Sequence, residues 1–211
     1  MPMALHSAQT AADRRENSLG LAARRLAWVL ALVLASAAPG VSAASNHVVE
    51  KLRSGGHVLL LRHALAPGFG DPEHFRLGDC ATQRNLSEVG RAQARAIGDW
   101  LRARGIETAR VYSSQWCRCL DTANLLGLGE VTELPALNSF FQRPQDREPN
   151  LAGLRDFLAR QPPDGEPIVL VTHQVTISAV SGRFADSGTG VLMAIEADGE
   201  VRTVAQLDFD G

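Results

Sequence analysis

The stretch His57-Val58-Leu59-Leu60-Leu61-Arg62-His63 decides the fold of this chain. Its apolar part is continuous rather than alternating, which is typical of a strand buried on both faces of a parallel sheet. Gly55 and Gly56 precede the run, and Arg62 and His63 follow it. We therefore predict a central strand that delivers an arginine and a histidine at its carboxyl end.

Two later segments are expected to end in the same way. Residues 109–113 indicate a second strand, after which Ser114 is expected to cap a helix over residues 115–125. Residues 167–171 form a third continuous apolar run, and Thr172-His173-Gln174 follows it directly. These polar groups are predicted to converge on one crevice, because ligands of such sheets bind beyond the strand carboxyl ends.

Helices and loops are predicted between the strands. Capping residues and glycines indicate further helices over residues 45–54, 87–104, 151–160 and 175–180. Glycines and prolines make residues 64–83 a long loop and residues 134–150 irregular, and the tail predicts a hairpin of residues 190–196 and 201–209 about Asp198-Gly199. The alternation predicts a three-layer α/β/α domain with a mostly parallel central sheet.

Residues 1–43 are predicted to be a secretory signal peptide, and residues 44–211 the folded domain. Two arginines precede the apolar run of residues 26–35, and small residues follow it. The run is shorter than the ~20 residues of a spanning helix, which favours cleavage after Ala43 or Ala44 over a retained membrane anchor. The sequence therefore predicts a periplasmic or secreted protein with no stable membrane anchor after cleavage.

The charge of the domain argues against a nucleic-acid partner. Without residues 1–43 the chain has 17 basic and 21 acidic residues, a net charge of −4 with histidine neutral. Such a domain lacks the basic surface that binds nucleic acid. A small phosphorylated ligand is compatible with this balance when a local pocket supplies the positive charge.

Arginines and histidines at adjacent strand ends are suited to bind a dianion. Arg62 and Arg118 carry planar donor forks that match phosphate oxygens. Their positive charge lowers the pKa of His63, which favours the neutral, nucleophilic imidazole, and His173 can donate to a phosphoryl oxygen. Because phosphoryl transfer requires mainly positioning and charge neutralisation, this set predicts phosphate monoester hydrolysis without a metal or cofactor.

Four segments resemble, in the correct order, the motifs of the histidine phosphatase superfamily, also called phosphoglycerate mutase-like. They are Leu61-Arg62-His63-Ala64, the helix opening from Leu86 to Ala94, Ser113 to Arg118 with Thr122-Ala123, and Leu170 to His173. The resemblance implies His63 as the phosphorylated nucleophile, Arg62 and Arg118 as phosphate ligands, and His173 as the second pocket histidine. It allows sugar phosphates, phosphorylated glycolipids and phosphoproteins as substrates.

The general acid is not assigned by the resemblance. Gln174 stands where one branch of the family has its acid, and residues 137–142 offer no carboxylate where the other branch has a glutamate. Asp71 and Asp79 are the candidates, with solvated loop carboxylates as the alternative for both. Without an acid the domain could bind phosphorylated ligands without turnover, so a phosphate-ligand-binding module of the same fold is the alternative function.

Four other side chains are left out of the site. Arg84 is either a third phosphate contact or a surface residue before the Ser87 cap. The aromatic residues Trp116, Phe140 and Phe141 are assigned to the core rather than to a substrate wall. None of the four is placed in the predicted site.

One disulfide is expected among the three cysteines, Cys80, Cys117 and Cys119, because an oxidising compartment favours it. Successive helix residues are rotated by ~100°, so Cys117 and Cys119 lie on opposite sides of their helix and cannot pair with each other. Their spacing is also shorter than that of zinc ligand pairs. Cys80 is therefore the partner of one of them. The resemblance, in which a small packed residue follows the pocket arginine, implies a Cys80–Cys117 bond and a buried Cys119 thiol.

Overall fold

One sheet of six strands organises residues 40–196 and 200–209, the part of the chain that the computed structural model describes. The strands are β1 (His57–Arg62), β2 (Arg110–Ser113), β3 (Val131–Glu133), β4 (Ile168–Thr172), β5 (Gly190–Ile195) and β6 (Val201–Leu207). Their order is β3-β2-β4-β1-β5-β6. The pairs β1/β4, β2/β4 and β2/β3 are parallel, whereas β1/β5 and β5/β6 are antiparallel. The predicted mostly parallel sheet and C-terminal strand pair are confirmed.

Helices cover both faces of this sheet. They are α1 (Gly40–Arg53), α2 (Glu88–Arg102), α3 (Cys117–Leu126), α4 (Arg147–Ala159) and α5 (Gln174–Ser181), with 3-10 turns at Cys80–Thr82, Pro135–Leu137 and Pro144–Asp146. On β1, Leu59 and Leu61 pack with α1, α2 and α3, whereas Val58 and Leu60 pack with α4 and α5. This two-sided burial explains the continuous apolar run, and it confirms the three-layer α/β/α prediction.

Several helix boundaries differ from the prediction. α1 begins at Gly40, before Ser45, and α4 begins at Arg147 rather than at residue 151 because a 3-10 turn leads directly into it. α2 begins as predicted: Ser87 Oγ accepts a hydrogen bond from the Gly90 N–H at 3.1 Å. α3 begins at Cys117 rather than at residue 115, because the Ser114 side chain contacts other groups.

The structure contains one strand, β3, that the sequence did not predict. β3 was not predicted because an edge strand of three residues carries no apolar run. Two other predictions concern residues that the structure does not describe. The proposed Asp198-Gly199 turn and residues 1–39 of the proposed signal peptide lie outside the described residues. Within the described part, no helix combines the length and apolar character needed to cross a membrane.

Candidate active site

The predicted strand ends meet at one edge of the sheet. In the parallel pairing, Arg62 lies beside Thr172, and the His63 N–H donates to the Thr172 carbonyl at 3.0 Å. On the other side of β4, the Ser114 N–H donates to the Val171 carbonyl at 3.0 Å. The backbone thereby places the residues that follow β1, β2 and β4 next to one another.

His63 is buried, with 2% of its surface exposed, and its environment selects a neutral ring whose lone pair is on Nε2. Nδ1 lies 2.8 Å from the Ala64 carbonyl oxygen, which only accepts, so Nδ1 carries the proton. Nε2 then accepts from Arg118 Nε at 3.3 Å. Burial, and after it the charge of Arg118, lowers the pKa of His63 to about 3. Nε2 is therefore available as a nucleophile at neutral pH.

Arg118 is fully engaged on its outer edge by Asp71. Its Nη1 donates to Asp71 Oδ1 at 2.7 Å and its Nη2 donates to Asp71 Oδ2 at 3.0 Å. The two side chains are 3% and 8% exposed, so this is a buried bidentate pair. The guanidinium plane is thereby fixed with Nε toward His63.

Two further donors hold the Asp71 carboxylate. Trp116 Nε1 donates to Oδ2 at 3.0 Å, and the Arg84 N–H donates to Oδ1 at 3.1 Å. Burial alone would raise the pKa of Asp71, but the hydrogen bonds and charge of Arg118 outweigh it and lower that pKa from its ordinary value. In the ligand-free site Asp71 is therefore an ion-paired carboxylate without a proton to give.

The second acid candidate lies away from this pocket. Asp79 is exposed and caps the 3-10 turn at Cys80–Thr82, where its Oδ1 accepts from the Ala81 N–H at 3.2 Å. It is absent from the residues that line the cavity around His63. A structural role at the turn accounts for Asp79.

Two more arginines complete the charge of the site. Arg62 Nη1 donates to the Ala185 carbonyl at 2.8 Å, and its buried Nε has no hydrogen-bond partner among the described residues. Arg84, which the sequence left open between a phosphate contact and the surface, lines the pocket and donates from Nε to the Gly70 carbonyl at 2.8 Å. Burial, with a contribution from Arg118, lowers the pKa of both guanidinium groups. The unpartnered Arg62 Nε is a donor suited to an incoming oxyanion.

His173 forms the opposite wall, with its ring centroid 5.6 Å from that of His63. Its Nε2 lies 2.8 Å from Ser114 Oγ, and the Ser114 hydroxyl donates to Asn138 Oδ1 at 3.2 Å. Because the single hydroxyl proton of Ser114 is donated to Asn138, Ser114 Oγ can only accept from His173, and His173 Nε2–H is the donor. Burial, and then the charge of Arg118, holds the pKa of His173 well below its ordinary value.

One hydroxyl connects the backbones of the two phosphate-site segments. Thr122 Oγ1 accepts from the Ala64 N–H at 3.0 Å and donates to the Arg118 carbonyl at 2.7 Å. The Thr-Ala pair after the motif arginine signalled this residue in the sequence. Its structural effect is to hold the turn after His63 against α3.

The cysteine prediction is confirmed. Cys80 and Cys117 form the disulfide, and Cys119 is a buried free thiol. Burial raises the pKa of Cys119 to about 12, so the thiol is protonated and unreactive at neutral pH. The disulfide joins the loop that carries Asp71 and Arg84 to the first residue of α3.

The cavity above His63 has a volume of about 290 Å³. Its charged lining residues are Arg62, Arg84 and Arg118 against Asp71, a net charge of +2 with both histidines neutral. Phe69, Phe141 and Phe184 surround its mouth. Trp116 and Phe140 are buried as predicted, but the core assignment of Phe141 was wrong, because this ring is 47% exposed.

The described residues contain no group of three histidine, cysteine, aspartate or glutamate side chains placed to hold a metal ion. The polar atoms of the pocket are mainly cationic or neutral donors. Such a donor set is suited to an oxyanion.

The order of the six strands and their flanking helices give the described residues a phosphoglycerate mutase-like α/β fold. Residues 58–140 match the model of the histidine phosphatase superfamily (branch 1). This segment contains Arg62, His63 and Arg118, so the family model and the motifs seen in the sequence agree over this part of the chain. His173 follows the matched segment. A comparison with curated protein sequences gave no significant match.

Solved structures share the fold at low sequence identity. "Mycobacterial hydrolase 1" is 20% identical with a TM-score of 0.52, and covers 71% of this chain and 96% of its own. A mycobacterial glucosyl-3-phosphoglycerate phosphatase is 18% identical with a TM-score of 0.51, covering 71% and 96%. The protein histidine phosphatase SixA, in complex with tungstate, is 16% identical with a TM-score of 0.50, covering 72% and 97%. At these identities the likeness concerns the fold.

Proposed function

We propose that this chain is a phosphatase that hydrolyses phosphate monoesters through a phosphohistidine at His63. The observation that carries the proposal is the unprotonated His63 Nε2, held 3.3 Å from Arg118 Nε. It faces a cavity whose lining charge of +2 matches a monoester dianion. Burial, and to a smaller extent the charge of Arg118, lowers the pKa of Arg62 and Arg84, and a bound dianion would stabilise both of these buried charges.

The reaction needs two displacements at phosphorus. His63 Nε2 attacks and forms an N–P bond while the ester P–O bond breaks, and the alcohol leaves with a proton. Water then attacks the phosphohistidine and passes a proton to the group that protonated the alcohol, the N–P bond breaks, and inorganic phosphate and neutral His63 are restored. Arg62 and Arg118 neutralise the equatorial oxygens, and His173 donates to one of them in exchange for its bond to Ser114.

Asp71 can acquire the missing proton when the substrate binds. A dianion on Arg118 competes with the carboxylate for the same donors and places negative charge beside it. Both effects raise the pKa of Asp71, because like charge and loss of a cationic partner disfavour the ionised form. Asp71 is therefore our proposed proton donor to the leaving alcohol.

Trapping tests the intermediate. Brief incubation with radiolabelled p-nitrophenyl phosphate followed by an alkaline quench should leave label on His63, since phosphohistidine survives base and an acyl phosphate does not. His63→Ala should abolish both labelling and turnover, while His74→Ala, at an exposed loop position, should change neither. Wild-type turnover by His63→Ala would refute the proposal.

The variant Arg118→Lys tests the role of Arg118 as a phosphate donor, measured by turnover of p-nitrophenyl phosphate. A lysine keeps the charge but lacks the planar fork of donors with which an arginine binds two phosphate oxygens at once. Loss of one such donor costs about 10²–10³-fold in rate, so kcat should fall by that factor. An unchanged kcat would show that the site needs only the charge at this position.

The binding-module alternative rests on the ion-paired state of Asp71. If this carboxylate never takes up a proton, the pocket holds phosphate esters without releasing the alcohol. An aryl phosphate separates the two functions because nitrophenolate leaves with little acid help. Turnover of p-nitrophenyl phosphate supports the enzyme, whereas binding without turnover supports the module.

For the location we propose export, with a mature chain that starts at Ala44 or Ser45. The apolar run with its small residues and the Cys80–Cys117 bond support this, since disulfides persist in oxidising compartments. Mass spectrometry of the extracytoplasmic fraction should find that N-terminus. Recovery of the uncleaved chain alone would overturn the proposal.

A further inference from the structure

Three exposed phenylalanine rings surround the mouth of the cavity. Phe69, Phe141 and Phe184 are 87%, 47% and 62% exposed, and they come from three separate segments of the chain. Isolated exposed apolar residues are ordinary on protein surfaces, but three on one cavity rim are a feature of ligand-binding sites. We call these three residues the phenylalanine rim.

Hydrogen bonds between the Gln142 side chain and the Asp71 backbone join the two segments that carry Phe69 and Phe141. The rings of Phe69 and Phe141 meet edge to face, with centroids 4.9 Å apart. Next to them, Gln142 Oε1 accepts from the Asp71 N–H at 2.7 Å, and Gln142 Nε2 donates to the Asp71 carbonyl at 3.2 Å. Gly68 and Gly70, on either side of Phe69, have φ values of 97° and 67°, which L side chains rarely adopt. The turn thus presents the Phe69 ring to solvent.

The charges of the cavity are accounted for by one phosphoryl group. With Asp71 ionised, as in the ligand-free site, the net lining charge of +2 matches a single monoester dianion, and the remaining polar lining residues, Ser139, Gln142 and Gln174, are neutral. A second anionic group on the substrate would find no further cation in the lining. The alcohol part of the substrate is therefore expected to be uncharged.

The size of the cavity determines where that alcohol lies. About 290 Å³ is at the lower end of the roughly 300–1,000 Å³ of small-molecule sites, so the cavity holds the phosphoryl group and the first atoms of the alcohol. The following atoms extend toward the exposed lining residues, whose large apolar members are the three phenylalanine rings. Hydrocarbon there removes apolar surface of both partners from water, whereas a hydroxylated or charged group loses hydration against the rings.

We propose that the substrate is a phosphate monoester of an uncharged alcohol with hydrocarbon close to the ester oxygen, bound between Phe69, Phe141 and Phe184. The inference rests on the phosphatase function proposed above and specifies its substrate class. Specificity arises from the rim, while the arginines bind the phosphoryl group common to all monoesters.

A series of n-alkyl phosphates tests the rim without changing the chemistry. Ethyl, butyl and hexyl phosphate have leaving alcohols of nearly equal acidity, so a rise in kcat/KM along the series reports apolar contact. Each fully buried methylene is worth up to about fourfold. We expect at least a tenfold rise from ethyl to hexyl phosphate, and propyl phosphate should be preferred to the similarly long glycerol 3-phosphate.

Variants locate the effect. The double variant Phe69→Ala/Phe141→Ala and the single variant Phe184→Ala should flatten the chain-length dependence and leave inhibition by inorganic phosphate unchanged. Val89→Ala removes another exposed apolar side chain, one outside this cavity, and should retain the wild-type slope. The unchanged phosphate inhibition shows that the variants are folded with an intact arginine site.

Failure of the substrate inference can be distinguished from failure of the proposed phosphatase function. A flat series, a preference for glycerol 3-phosphate, or a slope that survives in the rim variants overturns the rim inference even where p-nitrophenyl phosphate is hydrolysed. If no ester is turned over, the proposed function fails, and Kd values from calorimetry then test whether the phenylalanine rim binds hydrocarbon. In that case Kd must fall along the alkyl series and become independent of chain length in the rim variants.

Discussion

The bidentate contact between Asp71 and Arg118 makes Asp71→Asn an informative perturbation. Each carboxylate oxygen accepts two hydrogen bonds, one from Arg118 and one from a neutral N–H. An asparagine offers one oxygen, so its NH₂ group must face one guanidinium donor and one neutral donor. Because removal of one partner of a buried pair typically costs about 3–5 kcal/mol, the free enzyme should lose stability of that order.

The same change should have opposite effects on ligand binding and on turnover. Phosphate no longer competes with a carboxylate for Arg118, so inorganic phosphate should inhibit Asp71→Asn at lower concentration than it inhibits the wild type. Turnover of alkyl phosphates should fall by about 10²–10⁴-fold, the usual contribution of a general acid. Turnover of p-nitrophenyl phosphate should change far less, because its leaving group needs little protonation.

Asp79→Asn is the matched control. It lies in the same loop, is exposed, and caps a 3-10 turn, where asparagine serves as well as aspartate. Steady-state rates on both ester types, phosphate inhibition constants and urea unfolding complete the comparison. Weaker phosphate inhibition together with equal losses on alkyl and aryl esters would show that Asp71 only braces Arg118 and does not donate the proton.

Two further predictions concern stability. Replacing Cys80 and Cys117 by serine should lower the free energy of unfolding by up to about 4 kcal/mol, since the bond closes a loop across 37 residues. Urea titrations measure this change. Peptide mapping that finds a Cys80–Cys119 link would contradict the assigned pairing. The pKa of His63 is about 3 and that of His173 also lies well below 6.5, so the unfolded chain binds more protons than the folded one below pH 6.5. Each neutral buried ring contributes its full stabilisation above that pH. Below it, the free energy of unfolding should fall by up to about 1.4 kcal/mol per ring for each unit by which the pH decreases. His63→Asn should show a shallower acid dependence in thermal melts, and an unchanged slope would contradict the buried neutral ring.

The central part of the site could be predicted because local sequence determines it. The apolar runs before Arg62-His63 and before Thr172-His173 are continuous, whereas a half-exposed strand would alternate apolar and polar residues. Parallel pairing of the two strands brings their carboxyl ends together. The motif spacing then placed Arg118 at the start of the intervening helix. These features need no knowledge of distant contacts.

The rest of the site depends on contacts between distant residues. Asp71 and Arg118 are 47 residues apart, and no local pattern distinguishes this carboxylate from Asp79 in the same loop. The sequence left Arg84 open between the surface and the pocket, because its place depends on how the loop before it folds. Phe141 is adjacent to the buried Phe140 but is itself exposed. Such placements are set by packing of the loops, which periodicity and capping patterns do not describe.

The order of the strands has a consequence for how this architecture can change over time. The three strands that end in the chemistry, β2, β4 and β1, are consecutive in the sheet, and β3 and β6 form its edges. Edge strands open first when a protein fluctuates, so such fluctuations leave the nucleophile and its arginines in place. The phenylalanine rim lies on connecting segments, which tolerate substitution better than the buried strands. A descendant protein could therefore exchange its preferred alcohol through a few loop substitutions while inheriting the phosphoryl-transfer apparatus intact.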